Sequence, residues 1–156
     1  MRINYCEGTI FAVPLRRSGF AVGVVARASS TGKVVICYFF GPRRTSIPLL
    51  SELATLNPSN SIRVLQVGDL SLVNGEWPII GQLGPFNRCE WPMPSFVRKD
   101  ELSHKAWRVQ YSDKDPNKIE REDPVSFESK LQRDALHGAG AAELVLTGLL
   151  GDASAD

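Results

Sequence analysis

The chain has 156 residues, 43% hydrophobic and 22% charged, a mixture that excludes a disordered chain, a collagen and a coiled coil. The formal net charge is only +1, and the longest uninterrupted apolar run, Val34–Phe40, falls far short of the roughly 20 residues that cross a bilayer, so no membrane partner is expected. At about 100–200 residues per domain, one domain over residues 1–150 with a flexible tail at 151–156 is expected.

Glu7–Leu15 is rich in strand formers and ends at the turn signal Arg16-Arg17-Ser18-Gly19. Phe20–Ala28 reads as a second strand, and Gly23 within it predicts a bulge or a close backbone approach. Lys33–Phe40 reads as a third strand, apolar on both faces and therefore central. Short turns make the three an antiparallel meander. After Gly41-Pro42 the apolar spacing of Leu49–Leu56 predicts a short helix stopped by Asn57-Pro58. Ser61–Val67 alternates as a fourth strand, and Leu70–Val73 is ambiguous.

Residues 74–95 carry two Trp-Pro dipeptides, at 77–78 and 91–92, and proline restricts the residue before it to extended backbone. Regular helix is unexpected there, and the large aromatics should pin the segment to the core. Asn74-Gly75-Glu76 and Gly81-Gln82-Leu83-Gly84 read as turns. Phe96–Arg98 and Ala106–Tyr111 read as strands around Lys99–Lys105, with Trp107 expected in the core. Ser112–Lys118 is a polar turn, Ile119–Val125 a strand edge or loop, Phe127–Leu136 a candidate helix, and Ala141–Leu150 a good apolar helix. The fold class is therefore α+β: a strongly bent antiparallel sheet with short helices and a C-terminal helix.

Charge is unevenly distributed. Residues 1–50 carry a net +6, residues 51–100 a net −1, and residues 101–156 a net −4. Either the ends present a basic and an acidic patch to partners, or they face each other and cancel. Arg43-Arg44, just after Phe39-Phe40, could hold a phosphate or stack on a base. No nucleic-acid-binding module is present, and no nucleic-acid partner is expected.

Chemical signals are sparse. No phosphate-binding glycine loop or nucleophile elbow occurs. The two histidines, His104 and His137, are far apart in sequence, and nothing selects a metal set from them with Asp100, Asp113 or Asp115. A Cys89–His104 nucleophile pair is conceivable, but spacing does not place it. The acids at 113–123 lack the ligand spacing of a calcium loop. Cys6, Cys37 and Cys89 are an odd, widely spaced set that predicts reduced thiols, with Cys37 in the core. The opening Met-Arg-Ile-Asn-Tyr-Cys-Glu lacks the apolar stretch of a secretory leader, so a cytoplasmic location is expected.

Glu7–Leu15, Gly19–Val25, Tyr38–Pro42, Gly68-Asp69-Leu70, Glu76–Gly81 and Trp91–Pro94 occur in an order that resembles the immunity protein 26 family. The resemblance runs from about Tyr5 to Leu150. It implies a bacterial α+β protein that neutralises a toxin used in competition between bacteria. It also implies a second label, a small phosphotriesterase hydrolysing the organophosphate coroxon. No catalytic residue set comes with the family.

Under the binding reading, surface complementarity to a protein toxin is the function, with Arg43, Arg44, Glu76, Trp77, Trp91, Asp113 and Asp115 as contact candidates. Under the enzyme reading, Asp69 after Gly68 would be the base, with Arg43, Arg44 or a divalent metal near His104 polarising the phosphoryl oxygen of a small organophosphate. A third reading is a ligand-binding module with the Trp-Pro segment lining its pocket. Binding ranks first, and no cofactor is expected unless the enzyme reading holds.

Overall fold

A computed structural model describes residues 3–151, so residues 152–156 of the expected tail lie outside the described residues. The meander forms as the strand-forming runs and their short turns dictate: β1 (Thr9–Pro14), β2 (Phe20–Arg27) and β3 (Val34–Arg44) pair antiparallel. β3 does not stop at Phe40. A register shift lets Gly41-Pro42 bulge out between the Val22–Phe40 and Phe20–Arg44 pairs, so the strand continues to Arg44.

β4 (Arg63–Gly68) pairs with β3 on one side, and β5 (Ile79–Gln82) pairs with β1 on the other. Gly81, read from sequence as part of a turn, is thus in an edge strand. The short β9 (Leu136–His137) adds to β4 in parallel. The result is a bent, open six-stranded sheet in the order β5-β1-β2-β3-β4-β9, with β3 inside it as its two-faced apolarity requires. A second antiparallel sheet holds β6 (Phe96–Asp100), β7 (Lys105–Ser112) and β8 (Asp115–Val125). The turn expected over 112–118 is tighter than its composition suggests, because β8 already begins at Asp115.

Both faces of the large sheet are buried. Phe11, Val13, Phe39 and Val67 point to one side, where Trp77, Leu72 of the short α1 (Leu70–Asn74) and Ala142 and Leu146 of α2 (Ala139–Leu150) cover them. Ile10, Val22, Val24, Tyr38 and Phe40 point to the other, under Leu53 and Trp91. Gly23 is a site of close approach, as expected: a Cβ there would lie 2.3 Å from Cζ of the Phe11 ring.

Two expected helices are absent. Leu49–Leu56 forms only a 3₁₀ turn, Leu50–Leu53, with Leu53 alone buried, and a second 3₁₀ turn, Pro58–Asn60, capped by the Asn57 side chain, follows it. The sequence there supplies one buried anchor rather than a helical stripe. Residues 126–135 are irregular because serines compete for the backbone: Ser126 Oγ accepts from Glu128 N and Ser129 Oγ from Leu131 N. Val97 of β6 then pairs this segment in an extended form, donating to Gln132 O and accepting from Asp134 N.

Candidate interaction face

The segment from Arg43 to Asn60 and the segment from Leu83 to Pro92 meet over the Tyr38 face of the large sheet. Trp91 is the floor of their junction. It is 2% exposed, with ring centroids 5.1 Å from Tyr38 and 5.9 Å from both Phe40 and Phe86. The Tyr38 hydroxyl donates to Pro92 O at 2.6 Å, which fixes the Trp91-Pro92 backbone above the sheet. Burial pushes the Tyr38 phenol pKa up.

Above this floor lies a hollow of about 710 Å³, walled by Leu56, Pro58, Leu83 and Pro85. A second hollow of about 420 Å³ adjoins it through Ala54, Leu83 and Gly84, and is lined by Ile10, Leu50 and Leu53. A third, of about 330 Å³, follows along the chain and is lined by Arg43, Arg44, Thr45, Ser46, Pro48 and Glu52. The ridge between them carries exposed apolar side chains: Ile47 at 41%, Leu49 at 68% and Leu50 at 44%. Leu50 lies over Gly81, where a Cβ would come within 2.9 Å of its methyl carbons. Exposed apolar side chains beside hollows are the kind of surface on which contacts form.

The face is held by a charge network at its rim. Arg27, 4% exposed at the end of β2, donates from Nε to Asp113 Oδ1 at 2.8 Å and from its terminal nitrogens to the carbonyls of Ala26, Trp91 and Arg88. Arg88 donates to Glu7 Oε1 at 2.6 Å and to Asp113 Oδ2 at 2.8 Å. The hydrogen bond from Arg27, with the charges of Arg27 and Arg88, holds the Asp113 carboxyl below its ordinary range. The network ties β2, the Trp91 segment and the β7–β8 turn together. Part of the opposed charge of the two ends is paired across the fold, through Arg27 with Asp113 and Arg16 with Glu143, and other pairs are local to the small sheet. Arg16 approaches Glu143, Arg98 pairs with Glu122, and Arg108 and Arg121 pair with Asp123.

The residues singled out from sequence fall in different places. Arg43 and Arg44 line the third hollow, and Trp91 is the floor of the first rather than a protruding anchor. Trp77 is not on the surface. It is fully buried, stacked on Phe11 at 5.5 Å and 3°, and its Nε1 donates to Glu143 Oε2 at 3.0 Å. The Trp-Pro backbone folds inward because β5 must reach β1. Glu76 is exposed but closes the loop after α1, accepting from Asn74 Nδ2 at 2.6 Å. Asp113 is committed to Arg27 and Arg88, and Asp115 accepts from Asn117 N at 3.0 Å and Nδ2 at 2.8 Å. Trp107 is half-buried under the Arg98 guanidinium, 4.6 Å from its ring centroid, rather than in the core.

Asp69 and His104 are not brought together. Asp69 pins the β4–α1 corner: its Oδ2 accepts from the Tyr5 hydroxyl at 2.7 Å and from Lys33 N at 3.0 Å. Burial, then this hydrogen bond, pushes the Tyr5 phenol pKa up. His104 is exposed in the β6–β7 turn, stacked on Phe127 at 3.9 Å and 3.9 Å from Glu128. β7 separates the His104 turn from the Asn117 end of the sheet, which lies against the β2–β3 turn, by roughly 24 Å at 3.4 Å per residue. Cys89 belongs to the 3₁₀ turn Arg88–Glu90, away from His104. Among the described residues no three His, Cys, Asp or Glu side chains gather as a metal-ligand set. All three cysteines are free, Cys37 buried and Cys6 and Cys89 exposed.

Sequence reasoning missed the apolar ridge itself. Its signal was present in the adjacent Leu49-Leu50 pair, since two neighbouring leucines cannot both face one core from a short turn.

Residues 6–108 match the sequence model of the family described as Immunity protein 26, and the chain belongs to that family. No curated protein and no solved structure gives a match. The matched span contains the whole face, from Arg43 to Pro92. The phosphotriesterase label finds no support in the match or in the arrangement of residues.

Proposed function

We propose that the protein is an immunity protein that neutralises a protein toxin by binding it through the Arg43–Asn60 and Leu83–Pro92 face. The family match supports the class. The observation that carries the location is the exposed Ile47, Leu49 and Leu50 ridge set between hollows over an aromatic floor. Such a surface needs no catalytic group: it offers apolar area to bury, a rigid base and a polar rim. The exposed fractions of Leu49 and Leu50 together amount to about one whole leucine side chain, worth about 2 kcal/mol on full burial, or roughly thirtyfold in affinity. Free exposed thiols at Cys6 and Cys89 suit a reducing compartment, so the toxin is met in the cytoplasm. Among the described residues no helix is long and apolar enough to cross a membrane, and the proposal needs none.

The test is growth rescue. The chain is co-expressed with candidate toxin domains, and rescue by the wild type is compared with rescue by Leu49→Asp/Leu50→Asp. Loss of rescue at unchanged expression and fold supports the face. Full rescue by the double variant places the contact elsewhere.

A further inference from the structure

The ladder between β4 and β9 stops after Gln66, and the two chains then part as a fork. Asp69 N donates to Lys33 O at 2.8 Å, so by the antiparallel alternation Val67, Leu65 and Arg63 turn their backbone groups towards β3, and Gln66 and Val64 turn theirs away from it. On the facing segment Val97 N donates to Gln132 O and Asp134 N donates to Val97 O, both at 2.8 Å, so Arg133 and Ala135 turn their backbone groups from β6 towards β4. One rung beyond the Gln66–Leu136 pair, the Ala135 N–H would donate to Val64 O. It donates instead to Gln66 Oε1, at 3.2 Å. Gln66 is 3% exposed, so this interception is built into the packed interior. It leaves the backbone N–H and C=O of Val64 and of Arg133 without a partner among the described residues, on opposite sides of the fork.

A hollow of about 730 Å³ fills the fork, with Arg63 and Val64 on one wall and Lys130, Leu131 and Arg133 on the other. Its lining includes three permanent cations and no Asp or Glu. Arg133 pairs with Glu101 at 3.2 Å, whereas Arg63 and Lys130 have no ion-pair partner among the described residues. Asp134, between Arg133 and Ala135, is drawn away to the small sheet, where it accepts from the Tyr111 hydroxyl at 2.6 Å. Leu131, 38% exposed, adds apolar surface to the rim. A strand edge with unpaired backbone groups is a template for a further strand, and in strand addition main-chain bonds supply affinity while side-chain pockets select. Here the selecting charge is positive.

From this we infer that the fork takes a short extended acidic segment of a protein partner, added as a strand beside Val64 of β4. The fork shares no lining residue with the hollows of the Leu49 face, and the inference does not rest on toxin binding there.

The test follows the Val64 and Arg133 backbone amides of the full chain by NMR. The probes are three capped heptapeptides: alternating Glu and Thr, alternating Lys and Thr, and the Glu-Thr peptide with an N-methylated backbone. In the protein alone both amides should exchange freely with solvent; protection there would show them already paired and overturn the site. The Glu-Thr peptide should shift both amides saturably and slow their exchange at least tenfold. The Lys-Thr and N-methylated peptides should bind at least tenfold more weakly. No saturable shift with the Glu-Thr peptide overturns the inference. Equal binding of the N-methylated peptide overturns strand addition, and equal binding of the Lys-Thr peptide overturns the acidic assignment. Val64→Pro removes the outward N–H at an edge position, where proline is tolerated, and should weaken Glu-Thr binding at least tenfold. Arg63→Glu/Lys130→Glu leaves the backbone intact and should exchange the preference to the Lys-Thr peptide, which decides the matter even where Val64→Pro fails to fold. Unchanged Glu-Thr affinity in this charge-reversed variant overturns the inference.

Discussion

Replacing Gly23 with alanine drives a methyl group into the aromatic cluster of Phe11, Phe39 and Trp77 in the core. The new Cβ would lie 2.3 Å from Phe11 Cζ, 2.6 Å from Cε2 and 2.9 Å from Cε1, against an ordinary carbon contact of about 3.5–4.0 Å. The ring must therefore retreat by more than about 1 Å. It has nowhere to go, because Phe11 is fully buried, stacked flat on Trp77 and met edge-on by Phe39 at 5.9 Å. Overpacking of this kind costs about 1–3 kcal/mol, offset in part by the smaller entropy that alanine brings to the unfolded chain. A net loss of about 2 kcal/mol is expected, or a fall of about 4–8 °C in melting temperature for a chain of this length. Urea denaturation should show a lower midpoint at unchanged slope. Gly23→Ala combined with Phe11→Leu should recover at least about 1 kcal/mol relative to additivity, since the shortened side chain vacates the contact. An unchanged or raised midpoint in Gly23→Ala would refute the close-approach argument.

The rim network gives a second set of outcomes. Asp113→Asn should cost about 1 kcal/mol, since Asp113 is half-exposed, whereas Arg27→Met should cost about 3 kcal/mol by stranding three carbonyls and Asp113, both read by denaturant titration. Because the folded Asp113 carboxyl titrates below its unfolded value near 3.9, its contribution is present above about pH 4 and is lost as pH falls through the folded value; melting temperatures at pH 7 and pH 3 should differ less in Asp113→Asn than in the wild type. All three tyrosines are raised, Tyr111 up to about 12 by burial and then by the hydrogen bond from its hydroxyl to Asp134, so no native phenolate absorbance should appear near pH 10. Stability from Tyr111 is held below pH 10 and lost as pH rises towards its folded value, and phenolate should appear together with unfolding. A thiol reagent should count two cysteines in the native protein and a third, Cys37, only on denaturation, since burial both shields that thiol and pushes its pKa up.

The meander was legible because three runs of strand-forming residues are separated by short turn signals, and the pleat then sends Phe11 and Val13 to one side and Ile10 to the other. Gly23 was legible because a glycine between valines has no local reason to be there. The C-terminal helix announced itself through the apolar-rich stretch Ala141–Leu150 after Gly138-Ala139-Gly140. The Leu49–Leu56 helix failed because apolar spacing does not reveal that only Leu53 has a core to enter. Residues 126–135 failed because the serine-to-backbone bonds compete locally with helix. Trp77 was misplaced because the sequence shows an irregular aromatic segment but not that β5 carries it across the sheet to Phe11. Arg27 was visible as a charge in an apolar strand, yet its partners lie at Arg88, Trp91 and Asp113, which sequence distance conceals. The candidate site was half legible: its arginines and Trp91 were named, its apolar ridge was not.

The central claim is that the Leu49 ridge is where a toxin is bound. The direct measurement is titration calorimetry of a neutralised toxin domain against the wild type, Leu49→Asp/Leu50→Asp and Leu102→Asp. Leu102 serves as control because it is fully exposed in the β6–β7 turn, away from the face. Binding weakened at least thirtyfold in the double variant and unchanged in Leu102→Asp is expected. Equal affinity for all three proteins would contradict the claim.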